Sequence, residues 1–188
     1  VHDLAHPGRP RSVPGLVAAA IERRMLSHGR PISFVSCDNI PSNGTILGSV
    51  VRALAERRGA DLLRFIDDSV AFPETMVDRI VPATAPADIA YVAGHYGYRD
   101  AGVVVGEPFR QWVIEDRFAG RTPPWALSGA TFVDDVMPFE LIKMRVLNAA
   151  QTSFAYLRLL AGHEHTFNDM TDPLLTGLVR RMLIEETL

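Results

Sequence analysis

Ile32-Ser33-Phe34-Val35-Ser36-Cys37-Asp38-Asn39-Ile40-Pro41-Ser42-Asn43-Gly44-Thr45-Ile46-Leu47 is the stretch that decides the fold class. Ile32, Phe34 and Val35, following Pro31, read as a short buried strand. Ser36 to Asn39 are polar, and Ile40-Pro41-Ser42-Asn43-Gly44 reads as a turn that launches a helix. From Thr45 the apolar residues Ile46, Leu47, Val50, Val51, Leu54 and Ala55 recur at helical spacing until Gly59. Asp61 then caps a further helix carrying Leu62, Phe65 and Ile66, and Val17 to Met25 upstream has helical spacing too. Helix, strand, turn and helix in this order are the parts of an α/β sheet. The turn sets a polar cluster at a strand's carboxyl end, where open α/β sheets bind ligands.

Working outward, Met76-Val77-Asp78-Arg79-Ile80-Val81 alternates apolar and polar and is stopped by Pro82, which makes Asp78 the acidic member of a strand-like run. Ala83 to Gly102 has turn residues and weak helical character, Val103 to Val105 reads as a buried strand, and Trp112, Val113 and Ile114 read as core. Arg121 to Pro124 marks a surface loop, after which Thr131 to Val133 makes a last short strand. A domain boundary is expected near Met137, with residues 1–136 forming a parallel-sheet domain and 137–188 beginning a mainly α-helical one.

Composition bounds the partners. The 188 residues are 47% hydrophobic, enough to bury a substantial core, and 19 basic against 22 acidic residues leave a formal charge of -3. No Lys/Arg cluster is present to neutralise a phosphate backbone or an anionic lipid surface, so neither nucleic acid nor membrane is expected as a partner. No apolar run approaches the roughly 20 residues that cross a bilayer. The single cysteine, Cys37, has no internal disulfide partner and reads as a small hydrophobe, since no histidine lies near it in sequence. The six histidines show no zinc-site spacing, so no metal is expected, and a reducing cytoplasm fits this usage. The opening Val-His-Asp-Leu-Ala-His-Pro-Gly lacks both an initiating Met and a signal peptide's basic and apolar regions. The chain therefore reads as a segment whose remaining polypeptide lies elsewhere.

Pro138 suits a first helical turn, and nothing from Phe139 to Ala161 breaks a helix of about 23 residues, which Gly162 ends. A further helix from Asp172 carries Leu174, Leu175, Leu178, Met182 and Leu183 on one side. At about 100° per residue, Glu140, Lys143, Asn148 and Gln151 share one broad face, interleaved with Met144, Leu147 and Phe154. A mixed face of this kind lines a cleft. A lysine among such apolar neighbours loses hydration, which disfavours its charged form and fits it to take a hydroxyl proton. Asn148 offers an amide N–H to an oxygen on which charge grows, and Asn39 is the obvious source of a second such donor. The plainer alternatives stand beside these readings. Lys143 and Glu140 also read as an exposed i, i+3 ion pair, Asn39 as ordinary turn chemistry, Asp78 as an exposed strand residue, and His163 and His165 as loop or helix-end residues.

Several motifs in order carry a resemblance: Ser36-Cys37-Asp38-Asn39-Ile40-Pro41 with Asn43-Gly44, Phe72-Pro73 with Met76-Val77-Asp78-Arg79-Ile80, Glu107 to Asp116, and Lys143 through Leu147-Asn148 with Ala161-Gly162. Together they resemble the long-chain mannitol dehydrogenase family across nearly the whole chain. The resemblance implies the C-terminal part of a Rossmann-type domain followed by the start of a helical substrate domain. It implies an NAD-dependent, metal-independent oxidoreductase, with NADP left open, acting on an open-chain sugar acid or polyol. The D-mannonate/D-fructuronate pair is favoured, with mannitol/fructose or arabinitol next. By position Lys143 matches the family's general base, Asn39 and Asn148 its oxyanion-stabilising amides, and Glu140 a carboxylate that passes the proton to solvent. Asp78 matches an acidic residue near nicotinamide and substrate, and Ser36 is expected on the cofactor side. Two departures accompany the match. Gln151 stands where the family usually has a substrate-contacting histidine, and the Gly-rich dinucleotide loop is not found, Gly94 and Gly97 lacking the strand context it needs. The rival reading is a non-catalytic sugar-acid-binding or structural relative in which Gln151 marks the lost histidine.

Overall fold

Ser12 decides where the first long helix starts. Its hydroxyl accepts from the Gly15 N–H at 3.2 Å, Pro14 occupies the first turn, and α2 (Val13–Ser27) extends from it. Asp3, on the short α1 (His2–Ala5), is buried against this start and accepts from the Arg11 and Ser12 N–H groups at 2.8 and 3.0 Å and from the Ser12 hydroxyl. The Ser12 hydroxyl first, then the Arg11 N–H, holds the Asp3 carboxyl down to about 2, against the opposing effect of burial. The computed structural model describes residues 2–162 and 170–187, so His163 and His165 lie outside the described residues.

The strand–turn–helix unit forms as the periodicity dictates. β1 (Ile32–Ser33) is followed by an irregular polar segment and then α3 (Asn43–Glu56). Next come α4 (Ala60–Ser69) and β2 (Val70–Ala71), which lies parallel to β1 with Ile32 opposite Val70. Helix α4 begins after Gly59; Asp61 sits inside its first turn and is not the cap, because the backbone at Gly59 (φ 144°) takes a conformation that favours glycine. The core of this region joins Ala18 and Ile21 of α2, Val51 and Ala55 of α3, Leu62 and Ile66 of α4, Val70 and Phe72, with Ile32 and Phe34 against it. Three helices therefore bury their apolar stripes on a parallel strand pair, the arrangement of an α/β layer.

A second sheet has the order β3-β4-β5. β3 (Thr75–Asp78) runs antiparallel to β4 (Gln111–Glu115), which runs parallel to β5 (Thr131–Val133). Val113 and Ile114 are fully buried, and Trp112 stacks on Trp125 at 5.0 Å between ring centroids. Between β3 and β4, α5 (Pro86–Tyr96) forms where the sequence shows weak helical character. Val103 to Val105 do not form the expected buried strand; Val104 is 68% exposed. The edge next to β3 is instead closed by Glu107, whose N–H donates to the Ile80 carbonyl at 3.1 Å and whose carboxylate accepts the Ile80 N–H at 2.7 Å.

By its contacts the chain divides into two units, Val1–Val136 and Met137–Leu188. The second is helical: α6 (Met137–Ile142), a wide π turn over Lys143–Asn148, α7 (Ala149–Ala161), α8 (Pro173–Arg181) and a second π turn over Met182–Thr187. Gly162 (φ 74°) ends α7 in the left-handed region that a side chain would strain. Asp172 caps α8 by accepting from the Leu174 and Leu175 N–H groups at 2.9 and 3.3 Å. Phe154, Leu175 and Val179 form this unit's core, with Leu157, Met182 and Leu183 around it. Among the described residues no helix is long and apolar enough to cross a membrane, and no group of three or more His, Cys, Asp or Glu side chains could hold a metal ion.

Candidate active site

The polar segment after β1 is the first part of the site, and its backbone is tied down by residues at two other places in the chain. Asn43, the first residue of α3, is 1% exposed, and Thr75, the first residue of β3, is 2% exposed. The Asn43 Oδ1 accepts from the Thr75 N–H at 3.0 Å, while its Nδ2 donates to the Asp38 carbonyl at 2.9 Å and to the Thr75 carbonyl and Oγ1 at 3.0 Å each. Because an amide N–H can only donate, this pairing also fixes which way the Asn43 amide points. The Thr75 hydroxyl in turn donates to the Ser36 carbonyl. Two carbonyls of the Ser36–Asp38 segment thus end on one buried polar pair, and every partner is satisfied.

Glu74 completes the anchorage. Its carboxylate accepts from the Gly44 N–H at 2.8 Å and from the Thr45 N–H at 3.0 Å, and also from the Thr45 hydroxyl. These are the amides that a helix N-terminus leaves unpaired, and an acidic group there is favoured by the helix dipole. The approach is close: a Cβ on Gly44 would lie 2.5 Å from the Phe72 carbonyl oxygen and 2.6 Å from that of Pro73. Glycine is therefore required where α3 meets the β2–β3 connection. Ser42, immediately before, is held at φ 52° and ψ 43°, a left-handed conformation costing a non-glycine residue about 1–2 kcal/mol. Such strain persists only where its surroundings over-determine it, as Asn43 and Glu74 do here.

Glu115 supports Glu74 from β4. Its carboxylate accepts the Glu74 N–H at 3.0 Å and pairs in a fork with Arg117, Nε at 2.8 Å and Nη2 at 3.0 Å. Burial works to raise the Glu115 carboxyl, but the Arg117 hydrogen bonds, the Glu74 N–H and the Arg117 charge outweigh it and hold the group below the usual carboxylate range.

On this scaffold Asn39 is exposed and Ser36 half-buried, Ser36 accepting the Asp38 N–H through its hydroxyl at 3.3 Å. Cys37 is exposed, yet desolvation pushes its thiol above the ordinary value, which keeps it protonated at neutral pH and unsuited to nucleophilic attack. Asp78, half-buried at the end of β3, alternates to the sheet face opposite Thr75 and lies across from Gln111.

In the helical unit Glu140, Lys143 and Asn148 are half-buried and Gln151 is exposed. Uniform α-helical spacing does not hold through them. Lys143–Asn148 form a π turn, in which the backbone bonds i to i+5 and residues five apart come to one side. Lys143 and Asn148 are such a pair. Residues beyond the turn arrive at a shifted azimuth, so the expected arc breaks up: Phe154 faces the core with Leu175 and Val179, whereas Met144 is 45% exposed. The Asn148 Nδ2 donates to the Met144 Sδ at 3.0 Å.

Asn43, Thr75, Glu74 and Glu115 are the members of this arrangement that sequence reasoning misses. Asn43 and Glu115 lie inside motifs that carry the family resemblance but have no role there, and the only local signal was an asparagine opening a helix.

These features define an α/β protein of Rossmann type with an anchored polar loop at a strand's carboxyl end, followed by a helical unit. The family described as the mannitol dehydrogenase Rossmann domain matches residues 6–127, and the chain belongs to the mannitol dehydrogenase family. It is 39% identical over 186 residues to the uncharacterized oxidoreductase YeiQ of Escherichia coli strain K12, covering 99% of this chain and 38% of that protein. It is also 39% identical over 185 residues to the D-mannonate oxidoreductase of the same strain, covering 98% of this chain and 38% of the relative. The solved Pseudomonas fluorescens mannitol 2-dehydrogenase, a ternary complex with NAD and D-mannitol, superposes with a TM-score of 0.86 at 38% identity. That match covers 99% of this chain and 38% of the solved one. The chain thus spans little more than a third of the length of these relatives.

Proposed function

We propose that the protein is an NAD-dependent oxidoreductase that interconverts a secondary alcohol and a ketone in an open-chain sugar acid or polyol. The D-mannonate/D-fructuronate pair comes first and mannitol/fructose or arabinitol next, with NADP left open. The observation that carries the reading is the π turn bringing a lysine and an amide to one side of a helix, in a chain whose relatives include a D-mannonate oxidoreductase and a mannitol 2-dehydrogenase.

In this reading bound NAD supplies the hydride acceptor. Lys143 takes the hydroxyl proton as the alcohol becomes a ketone and returns it in the reverse direction. Asn39 and Asn148 donate amide N–H groups to the oxygen that gains charge between the two states, an effect that grows with charge and so favours the transition state. Glu140, three residues before Lys143, passes the proton on to solvent. Gln151 binds substrate hydroxyls by donating and accepting, without carrying a proton itself. Ser36 and Asp78 are the residues for the nicotinamide end. The α3 N-terminus does not receive the pyrophosphate, because Glu74 already takes its Gly44 and Thr45 amides. In this reading the chain's own residues serve the nicotinamide half of the cofactor. The helical unit serves the substrate side.

The test is a panel of hexuronates, hexonates and polyols assayed with the full-length protein by NADH formation or consumption. Replacing Lys143 by Ala should lower turnover by about 100-fold or more with NADH affinity nearly unchanged. A rate at neutral pH equal to wild type sinks the base assignment. Silence across the panel, with a ligand still raising the melting temperature, points to a binding protein in which Gln151 replaced a working histidine.

A further inference from the structure

The loop that carries Asn39 is tied to residues on either side of it in the fold. Its Ser36 and Asp38 carbonyls are received by Thr75 Oγ1 and Asn43 Nδ2, and those two side chains are bonded to each other within the buried interior. A donor aimed at a developing oxyanion works only if its position is set before the reaction, since reorganising it during hydride transfer would cancel its benefit. Asn39 itself is exposed, and the backbone on either side of it is anchored: Asp38 precedes it and Asn43 begins α3 four residues later. Both of those points belong to the same pair. Glu74 adds a third fastening by gripping the Gly44 and Thr45 amides.

We propose that Asn43 and Thr75 are positioning residues of the reductase reaction, acting through Asn39 rather than touching substrate. This rests on the oxidoreductase reading above. The donor pattern admits few replacements. An isosteric Asn43→Asp puts a carboxylate oxygen against the Asp38 and Thr75 carbonyls, and Thr75→Val keeps the branched shape but removes the hydroxyl that donates to the Ser36 carbonyl.

The experiment uses the full-length protein and the best substrate of the wild type, with kcat expressed per folded site from NADH titration. Thr75→Val should lower kcat by about tenfold or more and leave the KM for NADH within about twofold. The primary isotope effect with 4-deuterated NADH should rise as hydride transfer becomes rate-limiting. Thr75→Ser, which restores the hydroxyl, should recover most of the loss. In an Asn39→Ala background Thr75→Val should add less than about twofold, because the two act on one interaction. Where Thr75→Val does not fold, Thr75→Ser against Thr75→Cys makes the same comparison between an O–H and an S–H donor. A normal kcat and isotope effect in folded Thr75→Val, or fully additive losses with Asn39→Ala, overturns the proposal while leaving the oxidoreductase reading intact. A wild type with no turnover overturns both.

Discussion

Glu115 is where pH reaches the scaffold. Its folded carboxyl is held below its usual range, so in the unfolded chain it binds a proton more readily than in the folded one. Its contribution to stability is therefore complete above the unfolded value of about 4.3 and is lost as pH falls through the lower folded value. Glu115→Gln should flatten the acid side of the melting-temperature profile below about pH 5, and an unaltered profile would show that the fork with Arg117 carries no linkage. Legibility at this scale was uneven. Asn39, Asn148 and Lys143 can be proposed from the sequence because their residue types match a chemistry and a family pattern. Asn43 and Thr75 were not, because they meet across 32 residues, and only the folded chain shows an amide bonded to a threonine that far away.

The π turn is the element that local periodicity could not show. Uniform helical spacing puts Glu140, Lys143, Asn148 and Gln151 on one arc, but the wide turn from Lys143 to Asn148 adds a residue and rephases the helix beyond it. Deleting the exposed Arg145 should turn this stretch into ordinary helix and leave Asn148 four residues from Lys143, still on its side. Helical content by circular dichroism should stay the same and turnover of the full-length protein should hold within about tenfold. A loss of about 100-fold or more would mean that the wide turn itself, and not only the side it gives the pair, sets the site. The strand readings fared by their partners: β1, β3 and β5 formed because each has a neighbour to bond, and β4, whose Trp112, Val113 and Ile114 read only as core, is the strand that joins β3 to β5. Val103 to Val105 have equal strand propensity but stay outside the ladder, since Glu107 rather than a valine completes the edge beside Ile80.

Across the molecule, the α/β layer was legible because its helices and strands alternate in sequence and its apolar stripes all meet in one core from Ala18 to Phe72. The β3-β4-β5 sheet, with one antiparallel and one parallel pairing, was not, because strand direction depends on long connections that local pattern does not encode. The same layer also governs how the protein treats small anions. Helix N-termini in α/β folds are ready seats for phosphate, and α3 has filled its own with an internal acid, so the molecule carries a plug in the place of a ligand. Inorganic phosphate should leave the wild-type melting temperature where chloride of equal ionic strength leaves it. Glu74→Ala should melt lower in chloride and regain part of the loss in phosphate, by mass action at the vacated amides. A variant blind to phosphate would show that the seat closes once its acid is gone; one that responds would turn a structural strut into an anion receptor by a single substitution.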